Sequence, residues 1–183
     1  MRGERISRWT TTSAPIRVRR LSARWFGRAQ RQTLEPRLLY TNTRYRDQSR
    51  LPNFDSAGKT FNFVSIFAEN PFAGVDRVAD VNGFTAGVTT RLFDALTGAE
   101  TLRLALAQRV LLREQRITPD NVPNTRRVSD LLLEGSSLVA RHWHVDAALQ
   151  YNPDRSRVVD STLAGRWSPG PFRTLSAGYR LTN

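Results

Sequence analysis

Only two histidines occur in the chain, His142 and His144, and on a strand their i, i+2 spacing would put both imidazoles on one face, where they could share a metal ion. Two ligands without a cysteine or a third imidazole make a poor site, so no metal is expected. The chain has no Cys and no Gly-X-Ser-X-Gly elbow, so no nucleophile and base can be paired. Phosphate-loop and dinucleotide glycine patterns are absent as well. The expectation is therefore no catalytic residue, no cofactor and no enzyme. Two charged pairs remain. Glu35 and Arg37 would share a strand face, with Pro36 between them marking a strand start or a bulge. Asp76 and Arg77, in Gly74-Val75-Asp76-Arg77, would either pair and fold a long loop inward or divide into a turn-stabilising Asp and a solvated Arg.

The elements that must carry these residues follow from a period of two. From Thr33 onward apolar and polar residues alternate, broken by clusters of Gly, Pro, Asn and Asp. Trp143, Val145, Ala147, Leu149 and Tyr151 fall on one face and His144, Asp146, Ala148 and Gln150 on the other. At roughly 3.3 Å per residue that apolar stripe runs about 26 Å and ends in an aromatic ring at both ends, which suits a barrel wall crossing a bilayer. A sandwich strand with one buried face explains this one segment equally well. Thr101 to Arg113 is rich in helix formers, but its neighbours on both sides read as strands, and local propensity is the weaker signal. Seven strands are expected, over 33–45, 82–94, 101–113, 129–139, 142–151, 157–167 and 172–182. The connections alternate in length. Asp94–Glu100, Ala140–His142 and Ser168–Pro171 are short, as periplasmic turns are, and Arg46 to Asp80 would be one large extracellular loop with a hairpin near Phe61 to Phe67.

Composition narrows the class without deciding it. With 39% hydrophobic residues, a mean hydropathy of -0.46 and no run of eighteen apolar residues, the chain offers no transmembrane helix, so membrane residence would need strands. The net charge of +12 suggests nucleic acid, yet the first 32 residues hold nine arginines and one glutamate, so most of the excess is a property of the leader. Met1 to Gln32 has no apolar core of the signal-peptide kind, and we expect the natural start to lie elsewhere. Residues 1–24 are expected to be an Arg-rich leader, disordered or foreign to the rest, and 25–183 a partial barrel domain.

Beyond these patterns, several blocks of residues can be recognised. They are Gln32-Thr33-Leu34-Glu35-Pro36-Arg37, Tyr45-Arg46-Asp47-Gln48-Ser49 and Phe54-Asp55-Ser56, then Asn70-Pro71-Phe72, Gly74-Val75-Asp76-Arg77, Asn82, and the strand bearing Thr89 and Arg91. In order and spacing they resemble the LptD family of lipopolysaccharide-assembly proteins, from about Trp25 to Asn183. The resemblance implies an incomplete arc of antiparallel, up-and-down strands from a large outer-membrane β-barrel. It implies a translocon that delivers lipopolysaccharide to the outer leaflet, makes and breaks no bond, and works with a lipoprotein partner, LptE, that plugs the lumen. Its partners would be lipopolysaccharide, that lipoprotein, the remainder of the barrel and the outer membrane, and no nucleic acid. It also implies structural or loop-anchoring roles for Glu35, Pro36, Arg37, Tyr45, Arg46, Asp47, Gln48, Asp55, Gly74, Asp76, Arg77, Asn82 and Arg91. The chain has no cysteine to form the pairs found in many members, and the stretch given is expected to hold neither the periplasmic jellyroll nor the gate strands. Two other readings stand beside this one: a small self-contained porin-like barrel, and a soluble basic nucleic-acid-binding protein.

Overall fold

A computed structural model describes residues 10–14, 19–25, 28–52, 54–74 and 76–183, with side chains from residue 30 onward. Nine strands form one antiparallel sheet: β1 Thr10–Ala14, β2 Arg19–Trp25, β3 Arg28–Asn42, β4 Asn82–Asp94, β5 Glu100–Leu111, β6 Leu131–Ala140, β7 Trp143–Asn152, β8 Arg157–Gly170 and β9 Arg173–Thr182. From β3 to β9 each strand pairs with its neighbours in the chain, an up-and-down meander. The all-β architecture and the seven strands read from the alternation are present, each within a few residues of its expected span. Glu100–Leu111 is a strand despite its helix formers, because Leu102, Leu104 and Leu106 lie opposite Leu92, Thr90 and Val88 on one face.

Two strands, β1 and β2, lie within or at the border of residues 1–24, the stretch expected to be a leader either disordered or foreign to the rest. β1 and β2 both run antiparallel to β3, β2 on residues 28–34 and β1 on residues 38–42. They share one edge of β3 and together fill an eighth strand position. From Ala14 to Arg19 the chain takes one step more than β3 takes between their partners Leu38 and Leu34, so the register shifts. Pro36 neither starts β3 nor bulges against β4, where it pairs with Val88.

The sheet has two unlike faces. Cross-strand partners place Leu38, Ala86, Val88, Leu104, Leu106, Leu133, Ala147, Leu149, Leu163 and Tyr179 on one side, largely exposed and apolar. Trp143 stands against Trp167 on this bare face, with ring centroids 6.3 Å apart. The opposite face carries Glu35, Arg37, Thr85, Thr89, Arg91, Arg109, Glu134, Asp146, Gln150, Thr162 and Arg180. The short turns lie at one end of the strands and the connections 43–81, 112–130 and 153–156 at the other. Tight geometry at the short turns forces His142 (φ 72°) and Phe172 (φ 61°) into the left-handed region. His142 thus leaves the strand at the turn, and the two histidines are not a chelating pair on one strand face. Among the described residues no cluster of metal ligands occurs. The sheet is not closed: β9 pairs only with β8, and every residue of β9 is exposed.

In loop 43–81 the residues 61–67 pair as no strand; they hold a single 3-10 turn, η1, Ser65–Phe67, and the only hairpin-like feature described around them is an isolated antiparallel bridge between Gly58 and Phe72. The loop folds back over the polar face, and the main apolar core lies where it lands: Phe63, Ile66 and Phe67 from the loop on Leu39, Ala105, Ala107 and Leu132 from the wall.

Candidate functional site

The turn that presents these loop side chains is built from two polar residues. The Asn62 side-chain oxygen accepts from the N–H groups of Val64 (3.0 Å) and Ser65 (2.8 Å), and the Ser65 hydroxyl donates to the Thr60 carbonyl at 2.6 Å. The Ile66 N–H closes the turn on the Asn62 carbonyl at 2.9 Å. The side chains of Phe63, Ile66 and Phe67 then project as one knob, with the two rings edge-on at 5.7 Å and Ile66 fully buried. Small residues floor the seat. At Gly87 a β-carbon would come within 2.7 Å of the Phe67 ring, so this close approach requires glycine in mid-strand. Burying an Ile or Phe side chain contributes about 1.5–3 kcal/mol, so the knob is the main term holding the loop down.

Two arginines grip the knob. The Arg37 guanidinium lies 4.3 Å from the centre of the Phe67 ring. Arg109 donates from Nε to Thr85 Oγ1 at 2.9 Å and from Nη2 to the main-chain carbonyls of Ile66 and of Ala68, the latter at 3.2 Å; the Thr85 hydroxyl also donates to the Ile66 carbonyl. A 3-10 turn leaves such carbonyls without partners of their own, and the wall supplies them.

The root of the loop is tied by side chains that imitate a strand. Gln48 donates to the Val78 carbonyl (2.8 Å) and accepts from the Val78 N–H (3.1 Å). Asn70 donates to the Arg77 carbonyl (2.8 Å) and accepts from the Ala79 N–H (3.2 Å). Asp76 makes no ion pair with Arg77. One of its oxygens accepts from the N–H groups of Phe54 (2.8 Å) and Asp55 (3.1 Å), and these donors hold its carboxyl below the ordinary 3.8. Arg77 takes part through its backbone, its N–H donating to Ser56 Oγ at 2.9 Å. Asp76 thus ties two distant stretches of the loop together through main-chain donors, which is neither an ion pair with Arg77 nor a cap on its own turn. Gly74 packs so closely that an added β-carbon would lie 2.3 Å from Asp55 Oδ1.

The other motif residues divide into those the fold gathers and those it leaves apart. Glu35 and Arg37 share the polar face but do not pair: Glu35 lies 3.5 Å from Arg91, which lies 3.6 Å from Glu100. Charge neighbours are decided across the sheet, and Arg91 is diagonal to Glu35 through Thr89. Asp47 caps the Ser49 N–H at 2.9 Å, which lowers its pKa. Tyr45 lies under the Arg116 guanidinium at 5.3 Å. Asn82 opens β4 opposite Asn42, with its side-chain oxygen unpartnered. Arg46 is exposed and is drawn into none of these contacts.

Residues outside the motif blocks complete the assembly. Asp80 is 1% exposed and accepts from the N–H groups of Arg116 (2.9 Å) and Ile117 (2.8 Å), joining the loop to connection 112–130. Arg126 then bridges Asp130 (2.8 Å) and Asp154 (2.6 Å), joining that connection to the β7–β8 turn. Asn62-x-x-Ser65 carries a legible turn signal. For Asp80 and Arg109 nothing in the local pattern distinguishes them from solvated charges. Further round the polar face, His144 Nε2 lies 3.2 Å from both Ser136 and Asp146, and a recess of about 220 Å³ opens among Arg103, Glu134, Asp146 and Thr162.

An open, two-faced meander with its longest loop seated on the polar face defines a wall segment of a β-barrel. A family model described as LPS transport system D matches residues 19–183. The chain belongs to this family, LptD. It is 50% identical over 160 residues to the LPS-assembly protein LptD of Acidovorax sp. (strain JS42), covering 87% of this chain and 20% of that protein. It is 47% identical to the proteins of the same name from Polaromonas sp. (strain JS666 / ATCC BAA-500), over 159 residues, 86% of this chain and 19% of that protein, and from Ralstonia nicotianae (strain ATCC BAA-1114 / GMI1000), over 162 residues, 87% and 20%. The chain thus spans about a fifth of the length of these relatives.

Proposed function

We propose that the chain is one arc of the wall, with one infolded loop, of the outer-membrane barrel that assembles lipopolysaccharide in the outer leaflet. The bare face meets lipid, the loop-bearing face lines an aqueous lumen, the short turns are periplasmic and the long connections are external. The observation that carries this reading is the seating of loop 43–81 on the polar face: a surface that holds its own loop through Arg37, Thr85 and Arg109 is an interior. No bond is made or broken in this role. The polar face of β6 to β9, beyond the loop, supports a lumenal partner of the LptE lipoprotein kind, and the open edges support pairing with further strands of the barrel. The motif residues Gln48, Gly74 and Asp76 act as a loop-folding device rather than as saccharide contacts.

The test is a chimera in which this chain replaces the matching stretch of the Acidovorax protein, as the sole copy in a strain depleted of its own. Surface lipopolysaccharide, read by an outer-leaflet lipid A modification, is expected to recover. A chimera that inserts as a heat-modifiable barrel yet leaves the outer leaflet without lipopolysaccharide would overturn the assignment.

A further inference from the structure

Arg109 is a half-buried cation with no acid to match it. No carboxylate among the described residues lies within ion-pair distance of its guanidinium, and its donors go to a threonine hydroxyl and to two main-chain carbonyls of the loop. Arg37 stands alike, spent on the face of Phe67 with no carboxylate partner. Elsewhere on the same face Arg91 has Glu35 and Glu100, and Arg180 has Asp160.

Arg103 and Arg166 on this face also make no ion pair among the described residues, and what sets Arg37 and Arg109 apart is that the loop covers both; register fixes how the two stand. Arg109 lies opposite Thr85, which lies opposite Leu39; Arg37 lies opposite Gly87, which lies opposite Ala107. They are two strands and one row apart, about 12 Å between α-carbons by sheet spacing. Between them the floor is Gly87 and Ala107, where nothing bulky intrudes except the knob itself. Carbonyl oxygens are neutral acceptors, whereas a phosphate offers a guanidinium ionised oxygens and bidentate geometry. On Arg109 the loop carbonyls of Ile66 and Ala68 thus occupy the places that two oxygens of a phosphate would take.

We propose that the seat of the loop is a covered anion site, and that when loop 43–81 lifts, Arg37 and Arg109 are freed together to bind the phosphate groups of an anionic glycolipid. This rests on the reading of the chain as part of a lipopolysaccharide-handling wall and adds to it the residues and the chemical group they take. The loop is the resident occupant and the phosphorylated lipid its competitor.

The experiment uses the same chimera with Ile66→Cys, a position 0% exposed while the loop is seated, and follows alkylation of that thiol in detergent. Intact lipopolysaccharide is expected to speed alkylation about fivefold or more, as a competitor for the seat must, and lipopolysaccharide stripped of its phosphates is expected to leave the rate unchanged. With R37Q and R109Q together, intact lipopolysaccharide should no longer accelerate the reaction. Equal acceleration by the dephosphorylated lipid, or no acceleration by either, overturns the proposal. Acceleration by inorganic phosphate alone would make a free anion the ligand and overturn the lipid part. If the arginine variants fail to form a heat-modifiable barrel, the comparison of the two lipids on unaltered Arg37 and Arg109 still decides. A chimera that never delivers lipopolysaccharide to the surface counts against the assigned function; one that delivers it while its thiol ignores the phosphates counts against this inference alone.

Discussion

Asp76 governs the root of the loop through two amide hydrogens, and this sets how the loop answers to acid. A carboxyl whose pKa is lowered on folding contributes stability above its unfolded value and loses that contribution as the pH falls through the lowered one. The order of loop 43–81 is therefore expected to hold from neutral pH down to the ordinary carboxylate range near 3.8 and to decline below it. Asp76→Asn should flatten that decline, which trypsin cleavage at the loop arginines Arg50 and Arg77 of the chimera, followed after brief acid pulses, would show. An identical acid response in both proteins would remove Asp76 from the account. Gly74 tests the same turn by shape. A methyl there meets Asp55 Oδ1 at 2.3 Å and the Asp55 carbonyl at 2.6 Å, so Gly74→Ala must displace backbone, at a cost of about 1–3 kcal/mol. Faster cleavage within the loop at an unchanged barrel melting temperature is the expected result.

At the scale of the element, the two faces make opposite predictions for the same substitution on adjacent residues of β8. Leu163→Arg places a cation on the bare face and should cost about 2–4 kcal/mol if that face meets lipid, whereas Ala164→Arg on the polar face should be tolerated. Heat-modifiability midpoints that fall equally for both would contradict the assignment of faces. Phe67→Ala should release the loop, with a loss of about 3–5 kcal/mol typical of a buried aromatic, and raise hydrogen exchange in 61–68 while β4 and β5 stay protected. This scale was also the one most legible in the sequence. Alternation marks one apolar and one wet face in β4 and β7, and those strands run Asn82–Asp94 and Trp143–Asn152, close to the spans expected. Three features escaped for physical reasons. Strand β1, Thr-Thr-Thr-Ser-Ala, has no apolar alternation, and β2 alternates Leu21, Ala23 and Trp25 with Arg20, Ser22 and Arg24 over too short a stretch to stand out from its Arg-rich surroundings. The η1 knob looks like a hairpin because Phe61, Phe63 and Phe67 are spaced as on a strand, while its geometry comes from Asn62 and Ser65. The partner of Glu35 depends on which residue β4 brings alongside, which the order of residues in β3 does not reveal.

For the whole molecule the governing fact is the open sheet. Among the described residues, one edge of β9 and the outer edge of β1 and β2 carry N–H and C=O groups without strand partners, and each such group costs several kcal/mol in hydrocarbon. Expressed alone, the full chain is expected to aggregate or be degraded; a monodisperse, heat-modifiable species in detergent would show that its edges are satisfied some other way. The meander has a further consequence, for the order of assembly. Every strand from β3 onward adds to one already beside it in the chain, so the wall can grow hairpin by hairpin with little loop-closure entropy. The seat of the knob, however, draws Leu39, Gly87, Ala107 and Leu132 from four successive strands and does not exist until the fourth is in place. Capture of Ile66 should therefore be a late event in folding, and its burial a signal that this stretch of wall has been laid down in correct register.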